Sequence, residues 1–178
     1  MASYRRHFAE APLRFHFMAD LVARSLEWIE FAPIRVVATA ASSASPGDVF
    51  AVLADHERWP EWFPGLRKVT VLGAATGVGA RRRVALRGAT VDEEFIVWEP
   101  GVRWSFTGTA ASPRFTKSLV EDCLLDERAS GGTVITYTMY LDPPAALRPI
   151  IKALTGRIAA NTNRAMCNLA LRATTPGH

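Results

Sequence analysis

Cysteine and histidine are scarce in this 178-residue chain, and acidic residues stop altogether after Asp142. The two cysteines, Cys123 and Cys167, lie too far apart for a C-x-x-C motif and read as packing residues. The four histidines, at positions 7, 16, 56 and 178, make neither an H-x-x-x-H nor an HExxH pattern, so no metal site is expected. No cofactor is expected either: "GVGARRR" lacks the Lys-Ser/Thr ending of a phosphate loop, and there is no G-x-S-x-G elbow. The longest stretch free of charged residues runs only from Ala129 to Leu141. A membrane-crossing helix needs about 20 apolar residues, so none is expected. Glu10, Arg14, Asp20 and Arg24 interrupt any apolar core of a secretory signal, which points to a cytoplasmic protein.

What the chain does contain suits one soluble domain with a sizeable core: 49% hydrophobic residues, 21% charged, and a net charge of +4. The late part of the chain carries Arg148, Lys152, Arg157, Arg164 and Arg172 without a balancing acid. Such a run is either a solvated helix face or a surface for an anionic partner, a membrane or an acyl-carrier protein among them. Aromatic residues are not interleaved with it, so nucleic acid has no stacking platform there.

Residues 13–30, LRFHFMADLVARSLEWIE, put Phe17, Met18, Leu21, Val22, Leu26, Trp28 and Ile29 on one helical stripe. The spacing predicts an amphipathic helix ended by Pro33, docked on its own domain, on a twin subunit as a homodimer contact, or on a membrane. From Ile34 the apolar period becomes two, giving a strand over 34–41. Ser45 or Asp48 then caps a short helix with Pro46 near its start. The segment ERWPEWFPGLRKV, residues 57–69, follows; it is too broken for a long helix and too apolar for ordinary loop. Six further strands, 66–72, 80–87, 90–98, 102–109, 116–127 and 133–141, run without intervening helices and imply an antiparallel meander. The last element is a helix whose stripe holds Leu147, Ile150, Ile151, Leu154, Ile158, Ala165 and Leu169, along with Asn161 and Asn168. The fold class is therefore α+β, a seven-stranded curved antiparallel sheet wrapped around a long C-terminal helix, with short helices after the first strand and an extra N-terminal helix.

Small residues Ala38, Ala40 and Gly108 share the inward phase and leave space that Trp104, Phe106, Tyr137 and Met139, or a ligand, must fill. Which carboxylate enters that space depends on the EPG turn at 99–101. A two-residue turn pairs Phe95 with Phe106 and turns Glu93 inward; a three-residue turn brings in Glu94, Ile96 and Trp98. Glu121 lies in the apolar phase of its strand beside Lys117. A carboxyl buried there would have a raised pKa suited to proton transfer, making Glu93, Glu94 and Glu121 the catalytic candidates, although a strand glutamate more often points to solvent or pairs with an arginine, and Arg82, Arg83 and Arg87 are close by in sequence. Asn161 and Asn168 on the buried stripe must each find a hydrogen-bond partner, from ligand, water or backbone.

The segments "SPGDVFAVLADHERWPEWFPGLRKV", "VWEPGVRWSF" and "NTNRAMCNLALR", in that order, resemble the START-like helix-grip (SRPBCC) superfamily and its polyketide cyclase/dehydrase and lipid-transport group. The resemblance covers about Ile34 to Ala173, marking residues 33–174 as the ligand-binding domain and 1–32 as an extension. It implies a deep cavity between sheet and final helix, with Trp59, Trp62 and Phe63 at its mouth and Trp98, Trp104, Phe106, Tyr137, Met139, Asn161 and Asn168 as ligand contacts. It favours Glu94 and Trp98 as inward residues, and it departs from the aromatase/cyclases in lacking an Arg on the strand before the proline, where Glu94, Ile96 and Trp98 stand. A hydrophobic, polyketide-like or cyclic ligand is implied, with cyclisation or dehydration left open against a non-catalytic lipid or quinone carrier that docks on membranes.

Overall fold

The alternating segments pair in chain order. The computed structural model describes residues 17–175 and contains β1 (Ala19–Asp20), β2 (Ile34–Ser42), β3 (Leu66–Val71), β4 (Arg81–Leu86), β5 (Ala89–Glu99), β6 (Arg103–Ser112), β7 (Leu119–Glu127) and β8 (Thr133–Leu141). All pairings are antiparallel, in the order β2-β8-β7-β6-β5-β4-β3, with β1 added to β6. Helix α1 (Pro46–Ala54) begins as expected: the Ser45 hydroxyl accepts from the Asp48 amide at 3.2 Å, and Pro46 opens the first turn. A 3-10 helix, His56–Glu61, carries the aromatic segment, and α2 (Arg148–Arg172) closes the chain. This is the α+β helix-grip architecture the sequence predicts.

Helix α2 also manages a sheet edge. Asn163 Oδ1 accepts from the Thr39 amide at 3.0 Å, occupying a donor that edge strand β2 would otherwise leave open. The Ser42 hydroxyl donates to the Ala170 carbonyl at 2.9 Å two turns further on. Thr162, Ala165, Met166, Leu169 and Ala170 are buried along this half. The expectation that the whole apolar stripe is covered fails for the other half, where Ile150 is 57% exposed and Leu154 36%.

The predicted helix over 13–30 is corrected. Residues 1–16 lie outside the described residues, and from Phe17 onward the chain is extended, with a 3-10 turn only at Leu26–Phe31. The cause is an open edge: β7 pairs with β6 only as far as Thr107, so residues 108–112 of β6 lack a neighbour there. The segment fills that gap, Ala19 opposite Ala111 and Asp20 opposite Ala110, with the Leu21 and Val22 amides donating to the Thr109 and Lys117 carbonyls. Leu21 enters the core over Gly108, where a Cβ would lie 3.0 Å from Leu21 Cδ1 and 3.2 Å from Leu119 Cβ. Backbone pairing with an unsatisfied strand edge outweighs helical periodicity here.

Candidate functional site

The register of β5 decides what enters the interior. Glu99 pairs with Arg103 and Trp98 with Trp104 across a three-residue turn, in which Gly101 has the positive φ of 74°. A bulge at Ile96 then flips the parity, so that Phe95 pairs with Phe106 and Glu93 turns inward. Beyond the bulge the pairing of Phe95 with Phe106 holds; on the turn side Trp98 has the expected parity, but the turn spans 100–102 rather than 99–101. The preference for Glu94 is corrected: its side chain is 43% exposed and lies 3.9 Å from Arg81 on the outer face.

Between the sheet and α2 lies a cavity of about 440 Å³ with predominantly apolar walls, open on one side. Its closed end is built from Arg82, Glu93, Glu121, Tyr137 and Trp59, all buried. Its open end is formed by Leu86, Phe115, Leu154 and Arg157. Of the sequence-predicted contacts, Trp59, Phe63, Phe106, Tyr137, Met139 and Asn161 line it together with Glu93 and Glu121. Trp62, Trp98, Trp104 and Asn168 do not, although Trp62 and Trp104 pack on Trp59, which does. Trp98 meets Phe95 edge-on at 4.9 Å and Phe50 at 5.4 Å, and Trp104 stacks on Trp59 at 5.3 Å. Asn168 donates to the Trp62 carbonyl at 2.9 Å and Asn161 to the Pro64 carbonyl at 3.0 Å. One N–H of each amide therefore pins the aromatic segment to α2. Trp59, Trp62 and Phe63 are 2, 3 and 8% exposed, so that segment seals the closed end and the entrance lies elsewhere.

Arg82 was missed as a site residue. Its guanidinium sits 4.1 Å from the Trp59 ring centre, 4.9 Å from Trp104, 5.1 Å from Phe106 and 5.2 Å from Phe95, an aromatic cage for a cation. Nε donates to Glu93 at 2.6 Å, while Nη1 is buried without a partner. Arg82 thus brings to the interior, from the neighbouring strand β4, the guanidinium absent from the strand before the proline. The signal was present in "RRRVAL", where Arg82 shares parity with Val84 and Leu86, but flanking Arg81 and Arg83 hid it.

The carboxyls differ in what holds them. Burial pushes the Glu93 carboxyl up, against the opposing pull of Arg82. Glu121 is pushed to about 8 by burial and by the nearby charge of Glu93, with the Tyr137 hydroxyl donating to it. Burial beside Glu121 likewise raises Tyr137 well above the usual phenol range. At neutral pH Glu121 is consequently protonated and can donate. His56 is held down at about 3 by burial and then by Arg82; it stacks on Phe95 at 5.1 Å with Nε2 unpartnered, as part of the closed end. Among the described residues no group of three or more His, Cys, Asp or Glu could hold a metal, and no helix is long and apolar enough to cross a membrane.

Comparison with known proteins returns the same fold. The family model described as polyketide cyclase / dehydrase and lipid transport matches residues 33–174. An uncharacterized protein of Mycobacterium tuberculosis is 34% identical over 149 residues, covering 83% of each chain. Among solved structures, the Zhui aromatase/cyclase from a Streptomyces species superimposes with a TM-score of 0.67 at 17% identity, over 80% of this chain and 96% of that one. A START superfamily protein from Mycobacterium smegmatis gives 0.66 at 12% identity, over 79% and 99%.

Proposed function

The chain belongs to the polyketide cyclase / dehydrase and lipid transport family, and on that premise we propose that it binds one hydrophobic small molecule bearing an oxygen function at one end. The observation that carries this reading is the cavity itself, about 440 Å³ with predominantly apolar walls and with Arg82, Glu93, Glu121 and Tyr137 gathered at its closed end. A ligand carbonyl or hydroxyl oxygen would find hydrogen-bond partners among these groups. The apolar walls would take up the ring or chain behind that oxygen.

The same groups suit acid catalysis on a polyketide-like ligand. Arg82 would hold a carbonyl and stabilise the charge that develops on its oxygen, while Glu121, protonated at neutral pH, would give its proton to a departing hydroxyl, which leaves as water, and the Glu121 carboxylate would then take the proton from the adjacent carbon as the double bond forms. Tyr137, hydrogen-bonded to Glu121, would orient that proton. A carrier would use the same contacts without turnover.

Native mass spectrometry of the purified protein, together with displacement of bound anilinonaphthalene sulfonate by apolar ketones, tests the reading. Displacement is expected in the native chain and its loss in Val84→Phe, which narrows the cavity. Equal binding by both proteins, with circular dichroism showing both folded, overturns it. Glu121→Gln separates chemistry from carriage: a catalyst keeps binding and loses turnover, a carrier shows turnover in neither form.

A further inference from the structure

The two ends of the cavity differ in charge. At the closed end the lining cation is Arg82, already bonded to Glu93 at 2.6 Å, and the Glu121 carboxyl lies close enough to Glu93 to feel its charge. A ligand anion placed there would meet an occupied guanidinium and two further carboxyl groups in a buried site. That end suits a neutral oxygen.

At the open end the balance is reversed. Arg157 is exposed, lines the cavity from α2 and has no ion pair among the described residues. Its helical neighbours three and four positions away are Ala153, Leu154, Ala160 and Asn161, so no carboxylate on α2 is placed to hold it. The wall continues through Leu86 and Phe115. Their chain neighbours Arg87, in the β4–β5 turn, and Arg114, in the β6–β7 loop, are also exposed and without an ion pair among the described residues. Asp142, which follows the lining residue Leu141, already holds Lys117 at 3.6 Å and Arg148 at 3.2 Å. Arginines from three segments thus meet at one rim with no acid left to neutralise them. Such a rim draws anions, and a guanidinium offers a planar pair of donors to a carboxylate or phosphate.

We propose that the ligand is a two-ended amphiphile: a neutral oxygen at the closed end, an apolar body along the walls, and a carboxylate or phosphate at the mouth, held by Arg157. This rests on the ligand-binding reading above and narrows it to acids. The test is calorimetry on the full chain at neutral pH with two matched pairs of probes, ω-hydroxydodecanoic acid against its methyl ester and ω-hydroxydodecyl phosphate against dodecanediol. The native chain should bind at least one acid about ten-fold more tightly than its neutral partner, the worth of one charge-assisted hydrogen bond at a wet site. Added salt should narrow that gap. Arg157→Gln should nearly close it while leaving the neutral probes bound as before, and Arg157→Lys should keep part of it. Arg87→Gln with Arg114→Gln should narrow it less, by about two-fold, since these residues add field rather than contact. The pair with the larger gap identifies the head group. Equal binding within both pairs overturns the proposal. So does a gap that survives in Arg157→Gln with circular dichroism showing the variant folded, because the anion would then sit away from the mouth. Neutral probes that bind the native chain and fail to bind Val84→Phe would keep the cavity reading standing through either result; binding by no probe would overturn both.

Discussion

The two ends of the cavity are built on opposite rules although one helix, α2, forms a wall of both. At the closed end Thr162, Ala165, Met166 and Leu169 are buried, and Asn161, Asn163 and Asn168 hydrogen-bond to backbone from the aromatic segment and β2. At the open end no residue of α2 before Asn161 is buried, Gly156 faces open space, and the apolar residues Ile150 and Leu154 meet solvent. A helix uniformly amphipathic in sequence thus serves as core at one end and as rim at the other. Polar side chains collect at the gripped end, where Arg82 and Glu121 are buried, and the other end is loosely covered. Precise placement of buried polar groups requires the rigidity that packing gives.

Equal truncations at the two ends should break the symmetry most visibly. Leu169→Ala leaves a hole at a fully buried position and should cost about 2–5 kcal/mol in urea denaturation. Leu154→Ala, already 36% exposed, should cost less than about 1 kcal/mol and instead reduce ligand retention. Similar costs for both would mean that α2 is gripped along its whole length.

This asymmetry was only partly readable in the sequence. Alternation placed every strand from Ile34 to Leu141 because each has one face in the core, and period two survives without knowledge of its neighbours. The Ile96 bulge left no such trace: a single extra residue inverts the inward face, and so Glu93 replaced Glu94 inside. Residues 17–25 satisfied a helical period and were recruited as a strand by the open edge of β6, a vacancy visible only once β7 is seen to begin at Leu119. Arg82 was concealed by its neighbours Arg81 and Arg83, and the exposed half of α2 by a stripe whose periodicity is the same at both ends.

A pH series sharpens the contrast next. Glu121 has a folded pKa of about 8 against an ordinary 4.5, so the native state keeps a proton that the unfolded chain releases. Stability from this group is full below 4.5 and declines as pH rises toward 8. His56, held at about 3 against 6.5, acts the other way: the unfolded chain takes up a proton that the native state refuses, and stability declines as pH falls from 6.5 toward 3. The two slopes oppose each other between 4.5 and 6.5 and leave a plateau. Above it Glu121 alone should lower stability by at most ~1.4 kcal/mol per pH unit until about pH 8. Glu121→Gln should flatten that alkaline limb and His56→Gln part of the acid limb. Ile150→Ser, at the open end, should leave both limbs in place. An alkaline limb that persists unchanged in Glu121→Gln would remove the buried acid from the closed end.

The finest comparison concerns single hydrogen bonds. Asn168 Nδ2 donates to the Trp62 carbonyl at 2.9 Å, and the Thr155 hydroxyl donates to the Lys152 carbonyl at 2.8 Å; each is one side chain of α2 bonded to a backbone carbonyl. At Trp62 the residue is buried, so Asn168→Ala strands a carbonyl that water reaches poorly and should cost about 1–2 kcal/mol. At Lys152 the carbonyl is in exposed helix, water replaces the hydroxyl, and Thr155→Ala should change stability by less than about 0.5 kcal/mol. If thermal denaturation gave the two variants equal losses, burial would not be what separates the ends. Asn168→Ala should also loosen Trp59 and Trp62, read as a shift in tryptophan fluorescence, because the bond it removes holds their segment against the helix that forms the cavity wall.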